Sequence, residues 1–285
     1  MKNIVEIYYV VDEMVKKIEQ KFGKKFRRGR KNKLRKSELI TMALIGHFND
    51  IATDKKLYEF VTLYLKSYFK NLPCYEQFSR GIRSISQDLD LMLEILCQLN
   101  QTSEEDFYII DSSALPVGEY DSFDCPKWAS GEARLGKNIF GFYYGFKLHI
   151  IINRRMEVVS CMITSANVHD VKMLSVKSFI GKIKGKLVGD KGYICPKNLL
   201  KKFMKQGLKC IFKQRENMDP YLNEFYKKDL RQRQKIEGVF SYLKNRLKAL
   251  HNFARSAESF LVHVKAALAA YMLKNLSNFT VGLTI

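Results

Sequence analysis

The sequence lacks closely spaced cysteines, a long apolar segment and a balanced number of acidic residues. Its six cysteines are scattered, and no two have the short spacing typical of zinc sites and redox motifs. No run approaches roughly 18 consecutive apolar residues, the length of a membrane span. The opening segment MKNIVEIYYVVDEMVKKIEQKF carries acids among its apolar positions, unlike a secretory signal. These absences exclude disulfide scaffolds and membrane spans, and predict a cytoplasmic protein that can reach the nucleoid of a bacterial cell.

The shortage of acids makes charge the strongest compositional signal. The chain has 49 Lys and Arg against 29 Asp and Glu, a formal net charge of +20. This excess is larger than solubility requires, and its sign attracts a phosphate backbone. With 285 residues, 46% of them hydrophobic, the chain can bury one large core and a second smaller one. We expect one or two domains and a nucleic acid partner.

The apolar pattern of residues 1–100 is helical throughout. Ser37 is predicted to cap a helix that begins at Glu38, an acid that the helix dipole favours in the first turn. Between predicted helices lies KKFRRGRKNKLRK, which has nine basic residues in thirteen positions. Such a run is either a solvated linker or a segment that contacts phosphates without selecting bases, and the overall charge favours the contact. The predicted DNA-binding residues of this run are Lys24, Lys25, Arg27, Arg28, Arg30, Lys31, Lys33, Arg35 and Lys36.

After residue 100 the pattern changes to strands. DFYIID, FYYGFKLHIIIN, MEVVSCMIT, KLVGD and LKCIF are predicted strands, of which the second and third form a hairpin. Helices are predicted over 171–180, from Pro196 to Gly207, and as one long helix containing RQRQKIEGVFSYLKNR. This order predicts an α/β fold: an RNase H-like mixed sheet with flanking and C-terminal helices over 101–285, preceded by an all-α DNA-binding region over 1–100.

Residues 121–138 have no clear period and are predicted to form a loop between the first two strands. The single tryptophan, Trp128, lies in this segment. It either covers the edge of a core, which is the more common role, or stacks on an unpaired base.

Two aspartates are predicted to follow strands of the sheet. Asp111 comes directly after the apolar run YII, where its alternative role is that of a turn or capping residue. Asp190 follows KLVG, and the neighbouring Gly189 and Gly192 would permit close approach of a ligand. Each aspartate alone is weak evidence for a site.

Glu237 adds a third acid on the predicted long helix. At 100° per residue, Arg233, Glu237 and Lys244 lie within about 40° of one another on one helix face. The alternative is a pair of ordinary surface salt bridges, which contribute little stability. Hydrolysis of a phosphodiester needs an activated oxygen, a stabilised leaving group and neutralised phosphate charge, which two Mg²⁺ ions on a few carboxylates can supply. We therefore predict that Asp111, Asp190 and Glu237 bind two Mg²⁺ ions, with Mn²⁺ as the alternative metal.

Two histidines, His169 and His149, are also considered as metal ligands. His169 and Asp170 precede a predicted helix, where a turn and a helix cap are favoured over an auxiliary metal contact. His149 alternates with apolar neighbours on a strand, which favours a hydrogen-bonded sheet residue over a metal ligand.

Five segments together carry a family resemblance: DSSALPV, FYYGFKLHIIIN, TSANVHDVKML, VGDKGY and RQRQKIEGVFSYLKNRLKAL. In combination they resemble the DDE transposases of bacterial insertion sequences, within the broad group that includes the insertion-sequence family numbered nine-eighty-two. KSELITMALIGHF is similar to the leading segment of that family. The resemblance covers most of the chain, from about residue 36 to residue 270.

The resemblance implies that Asp111, Asp190 and Glu237 bind the catalytic metals. Of the family signature with Tyr, Arg, Glu and Lys, Arg233, Glu237 and Lys244 match, while Leu230 stands at the Tyr position. Contacts to the phosphates of the transposon end would then depend on Arg233 and Lys244.

The implied reaction is cleavage at the transposon end by a metal-activated water, followed by attack of the released 3′-OH on target DNA. The implied partners are double-stranded DNA, both terminal inverted repeats and target, and a second copy of the chain. Two rival functions remain: a non-catalytic DNA-binding protein descended from a transposase, and another RNase H-like nuclease without a joining step. The presence of all three acids favours the active transposase.

Overall fold

The computed structural model describes residues 4–23, 32–101, 106–120, 125–181, 183–215, 217–218, 220–250 and 254–275. In these ranges the first five helices precede a region of mixed strands and helices. The elements are α1 (Ile4–Phe22), α2 (Lys36–Phe48), α3 (Asp54–Tyr64), α4 (Tyr75–Ser84), α5 (Ser86–Leu99), β1 (Phe107–Pro116), β2 (Arg134–Asn138), β3 (Gly141–Asn153), β4 (Val158–Ser165), α6 (Lys177–Ile180), β5 (Gly185–Gly189), α7 (Lys197–Lys205), β6 (Leu208–Phe212), α8 (Pro220–Phe225), α9 (Lys227–Arg231), α10 (Gln234–Ser241) and α11 (Ala257–Asn275). None of these helices is long and apolar enough to cross a membrane.

The chain divides into two compact units. The helical unit comprises Met1–Leu96 and Tyr242–Ile285, and the sheet unit comprises Cys97–Ser241. The C-terminal helix was expected to belong with the sheet, but α11 packs against α2 and α4. Residues along nearly the whole length of α11 are buried, most of them apolar. Such a helix is stable only when other helices cover several of its sides, which explains this grouping.

α2 is the central helix of the helical unit. Ten of its residues, from Ser37 to His47, are buried, so it is enclosed by its neighbours. The prediction that Ser37 caps this helix is wrong: the helix begins two residues earlier than expected, at Lys36 with Arg35 as its N-cap, and the Ser37 side chain is buried. The carboxylate of Glu38 accepts a hydrogen bond from the backbone N–H of Arg35 at 2.6 Å and satisfies the helix start instead.

A polar network lies inside the helical unit. His47 Nδ1 lies 2.7 Å from the carbonyl oxygen of Leu247, and His263 Nε2 lies 2.9 Å from Asp54 Oδ1. The two imidazole rings meet edge to face, with centroids 5.8 Å apart. Burial, together with the charge of the neighbouring His263, lowers the pKa of His47 from 6.5 to about 3. His47 is therefore neutral in the folded protein at pH 7.

We expect the helical unit to lose stability as the pH falls from about 6.5 towards 4. His47 binds a proton near pH 6.5 in the unfolded chain but only near pH 3 in the folded protein. Its contribution to the free energy of unfolding is therefore complete above pH 6.5. Below that value it is lost at up to about 1.4 kcal/mol per pH unit. The Asp54 pKa is lowered despite its burial, by its hydrogen bond to His263, so its contribution is lost separately, below about pH 3.8. Thermal melting from pH 7 to pH 4.5, with His47→Asn for comparison, should show a flatter pH dependence in the variant; equal slopes would contradict this origin.

The sheet unit contains a six-stranded sheet within the described residues. Five strands lie side by side in the order β4, β3, β1, β5, β6, and β2 pairs with the start of β3. β3 is antiparallel to β1 and β4, whereas β1, β5 and β6 are parallel. This is the mixed sheet of an RNase H-like fold, as the order of elements in the sequence predicted.

Three predicted elements differ from the structure. β2 lies in the segment expected to be a loop, and its sequence RLGKN has no apolar alternation to mark it. The helix expected over 171–180 is a 3-10 helix, Asp170–Ser175, followed by the short α6, because Val176 between them is extended. The long helix is divided into α9, α10 and a π-helical turn, Tyr242–Arg246.

Candidate active site

Asp111 and Asp190 are brought together by the parallel pairing of β1 and β5. In this register Phe107 lies opposite Lys186 and Ile109 opposite Val188. The pairing ends there, but the same register continued by two residues brings Asp111 and Asp190 to equivalent positions, and the charge of Asp190 acts on Asp111. Because equivalent positions of paired strands point to the same face, both carboxylates belong to one face of the sheet.

The prediction that Asp111 ends its strand is wrong, although its placement beside Asp190 does not depend on that. β1 continues to Pro116, because it stays paired with β3, where Asp111 lies opposite Ile150. Only β5 stops here, at Gly189. The end of β5 leaves the edge of β1 open beyond Ile109, and Asp111 lies at the start of this opening.

The Asp111 carboxyl is a strongly perturbed group. Its side chain is 19% exposed, and burial raises its pKa to about 6. The negative charges of Asp190 and Asp170 contribute to this rise in pKa, whereas the Ser112 backbone N–H, 2.8 Å from Oδ1, and Arg233 oppose it. Three acids therefore share one electrostatic environment, in which a positive charge is stabilised.

The positively charged Arg233 forms ion pairs with two of the three predicted metal ligands. One guanidinium nitrogen lies 3.2 Å from Asp111 Oδ2, and the other lies 3.1 Å from Glu237 Oε1. Arg233 lies in the turn before α10, and Glu237 lies in its first turn, with a side chain that is 56% exposed. The ion pair to Asp111 spans 122 residues of sequence, so it links α10 to the strand that carries the first aspartate.

The predicted single helix face is not continuous. Arg233 precedes α10, and Lys244 follows it in the π-helical turn, so a rotation of 100° per residue does not hold from one to the other. Lys244 belongs to the helical unit, where burial lowers its pKa. The roles expected for Arg233 and Lys244 at phosphates remain predictions.

The carboxylate oxygens at this site suit a hard divalent cation, although the described side chains do not form a complete set of metal ligands. Within the described ranges, no group of three or more His, Cys, Asp or Glu side chains is gathered closely enough to hold a metal ion. The aligned Asp111 and Asp190 provide two carboxylates, which is the minimal protein contribution to a Mg²⁺ site that keeps its other ligands as water and phosphate oxygens. The residues present therefore fit a Mg²⁺ or Mn²⁺ ion, with Glu237 held nearby through Arg233.

Asp170 is an acid of this site that the sequence placed in a capping role. His169, not Asp170, holds the capping position of the 3-10 helix, and it makes no side-chain cap bond. Asp170 Oδ1 accepts hydrogen bonds from Ser112 Oγ at 2.9 Å and from Lys147 Nζ at 3.0 Å. The position of Ser112 directly after Asp111 was the sequence signal that could have located this network.

His149 is largely a hydrogen-bonded sheet residue, as expected. Its side chain is fully buried, and its Nε2 lies 3.0 Å from Thr164 Oγ1. Its Nδ1 lies 3.9 Å from Asp170 Oδ1. Burial lowers the pKa of His149 to about 4, while Asp170 acts in the opposite direction. A neutral His149 beside Asp170 leaves Lys147 as the cation that balances this acid.

The glycines beside Asp190 do not leave room for a ligand in the predicted way. A Cβ on Gly189 would meet Ile110 Cγ2 at 2.8 Å, and the Phe212 ring lies just beyond. A Cβ on Gly192 would lie 3.2 Å from Asp170 Oδ2. Both glycines thus permit close packing within the protein, and Gly192 brings the turn after β5 against Asp170.

The basic run lies largely outside the described residues. Lys24, Lys25, Arg27, Arg28, Arg30 and Lys31 fall outside them. Lys33 and Arg35 are exposed, and Lys36 forms an ion pair with Asp88 at 2.7 Å. Trp128, for which covering the edge of a core was favoured over base stacking, is half-buried in a turn before β2. DNA contacts by these residues remain predictions.

Comparisons with known proteins identify the family. A search of curated proteins gives no match. Among solved structures, the chain is similar to the Mos1 strand transfer complex, with 7% identity, coverage of 95% of each chain and a TM-score of 0.24. It is also similar to the Mos1 transposase paired-end complex with left transposon end, with 8% identity, coverage of 88% of this chain and 97% of that chain, and a TM-score of 0.23.

TM-scores this low support no structural argument, and the family assignment depends on sequence. The model of the transposase DDE domain matches residues 101–257. These residues include β1, β5 and α10, and therefore Asp111, Asp190 and Glu237. Because the match covers more than half of the chain, the protein belongs to the DDE transposase family.

Proposed function

We propose that the protein is an active DDE-type transposase that cleaves DNA at the ends of an insertion sequence and joins the released 3′-OH to target DNA. The observation that supports the proposal is that Asp111 and Asp190 lie at equivalent positions just beyond the paired part of β1 and β5, with Glu237 joined to Asp111 through Arg233. The proposed catalytic and metal-binding residues are Asp111, Asp190 and Glu237.

The proposed role of each residue follows from its position. Asp111 and Asp190 would hold the cations, and Glu237 from α10 would complete the ligand set. When bound, Mg²⁺ or Mn²⁺ neutralises phosphate charge and makes a bound water more acidic. Arg233 orients Asp111 and Glu237 before DNA arrives, and its guanidinium is the group best placed to meet a phosphate at the same point.

Cleavage and joining are both in-line displacements at phosphorus. In the first the attacking oxygen is that of water, and in the second it is the 3′-OH at the end of the element. The same residues serve both steps, since only the attacking oxygen changes. Because two ends must be joined to one target, we propose that a homodimer acts on double-stranded DNA. The net charge of +20 supports this partner.

Strand cleavage of a labelled duplex carrying the inverted repeat that flanks the gene tests the proposal. We expect nicks that leave a 3′-OH at the end of the element with Mg²⁺ or Mn²⁺, no nicks with EDTA, and joined products when target DNA is added. Binding without nicking would favour a non-catalytic DNA-binding protein. Nicking without joining would favour another RNase H-like nuclease.

A further inference from the structure

A cationic pocket opens at the carboxyl ends of β5 and β6, where ligands of open α/β sheets commonly bind. Its volume is about 760 Å³, and we call it the β5–β6 pocket. Lys191, from the turn after β5, and Lys213 and Arg215, from the segment after β6, line it together with Asp190. Three cations thus face one acid, and that acid is a proposed metal ligand.

No acid of the described residues forms an ion pair with any of the three cations of the β5–β6 pocket. All three side chains are exposed. Two cations elsewhere in the sheet unit, by contrast, are paired: Lys186 with Asp229 at 3.2 Å, and Lys147 with Asp170 at 3.0 Å. Gathering unpaired like charges is unfavourable unless an anion binds between them.

The segment that carries Lys213 and Arg215 is held in place from both sides. The Gln214 backbone N–H donates to Asn223 Oδ1 at 2.8 Å, and Asn223 Nδ2 donates to the Gln214 carbonyl at 3.3 Å. The Lys213 backbone N–H donates to the Gly189 carbonyl at 3.1 Å, which extends the pairing of β5 with β6. Binding an anion here would cost little ordering of the backbone, because the backbone is already fixed.

We propose that the β5–β6 pocket binds the sugar–phosphate backbone of a DNA strand beside the phosphate that is cleaved. The inference rests on the proposed function, because it takes the Asp190 edge of the pocket as the position of the reacting phosphate. Lys213 and Arg215 contact successive phosphates and place the strand without selecting its bases. Inorganic phosphate shares this chemistry, but it has one charge centre for three cations distributed over two segments.

The test compares two double variants of equal charge in the full chain. Lys213→Gln with Arg215→Gln removes two cations of the pocket, and Lys201→Gln with Lys202→Gln removes two exposed cations of α7. The affinity of each protein for a fluorescein-labelled DNA duplex is measured by anisotropy in EDTA over a range of salt concentrations. We expect the pocket variant to bind about 10-fold to 100-fold more weakly, and its salt slope to fall by about 1.4 to 1.8, or about 0.7–0.9 for each of the two lost phosphate contacts.

The control variant should change affinity and salt slope much less than the pocket variant. Equal losses in both variants, or no loss in the pocket variant, would overturn the proposal. Stabilisation by inorganic phosphate that disappears in the pocket variant, with DNA affinity unchanged, would also overturn it in favour of a free anion. Nicking by the unmodified protein is measured separately. If the unmodified protein nicks DNA and the pocket variant binds DNA normally, only the pocket proposal is refuted. If the unmodified protein does not nick DNA but the pocket variant binds more weakly, only the proposed function is refuted.

Discussion

Asp190→Asn should reduce strand cleavage by about 10³-fold while leaving the fold intact. The substitution keeps the shape of the side chain but removes a charge on which the cation site depends. Loss of about 4 kcal/mol of metal-derived stabilisation in the transition state corresponds to that factor. The negative charge of Asp190 also raises the pKa of Asp111, so its removal relieves a repulsion in the free protein. We therefore expect an unchanged or slightly higher melting temperature alongside the lost activity.

Single-turnover cleavage, DNA binding in EDTA and thermal melting together check the Asp190 prediction. Glu224→Gln is the matched control, because it removes one negative charge from an exposed residue of α8 whose ion pair is with the nearby Lys227. That variant should cleave as the unmodified protein does. Cleavage by Asp190→Asn within a few-fold of the unmodified rate would show that Asp190 is not a metal ligand, whatever the fate of the other two acids.

Gly185→Ala should destabilise the sheet unit by about 3 kcal/mol or more, because positive φ and steric overlap act together. Gly185 begins β5 with φ +100°, in a region that residues with a Cβ rarely adopt. An added Cβ would collide with the carbonyl oxygen of Asp106, directly before β1. This is the start of the β1–β5 pairing, whose register aligns Asp111 with Asp190.

Gly207→Ala separates the two causes of the Gly185 effect. Gly207 has φ +81°, but nothing lies within 4 Å of an added Cβ there. Its substitution should therefore cost only the backbone term, about 1 kcal/mol. Urea unfolding of both variants, followed by a probe of the sheet unit, gives the comparison. Equal losses for the two glycines would mean that contact with Asp106 contributes nothing to the register.

Much of the sheet could be predicted because several of its strands are largely buried apolar runs with clear ends. FYYGFKLHIIIN and LKCIF correspond closely to β3 and β6. β2 could not be predicted in this way, since RLGKN owes its conformation to pairing with β3 and not to its own composition. The break between α9 and α10 could not be predicted either, because no glycine or proline lies between these helices.

The candidate site was predicted residue by residue but not in its connections. Asp111, Asp190 and Glu237 were chosen for their positions after strands and on a helix. The contact between Arg233 and Asp111 depends on packing between segments 122 residues apart, which no local pattern encodes. The same holds for Asp170, whose local sequence suggests a cap while the fold directs its carboxylate to Ser112 and Lys147.

Binding of Mn²⁺ to the unmodified protein and to Asp190→Asn tests the central claim, a metal site on Asp111 and Asp190, most directly. Electron paramagnetic resonance measures free Mn²⁺ during a titration, with and without terminal-repeat DNA. We predict saturable binding by the unmodified protein and by Glu224→Gln, and binding at least about 10-fold weaker by Asp190→Asn. The same Mn²⁺ affinity in Asp190→Asn as in the unmodified protein would contradict the account.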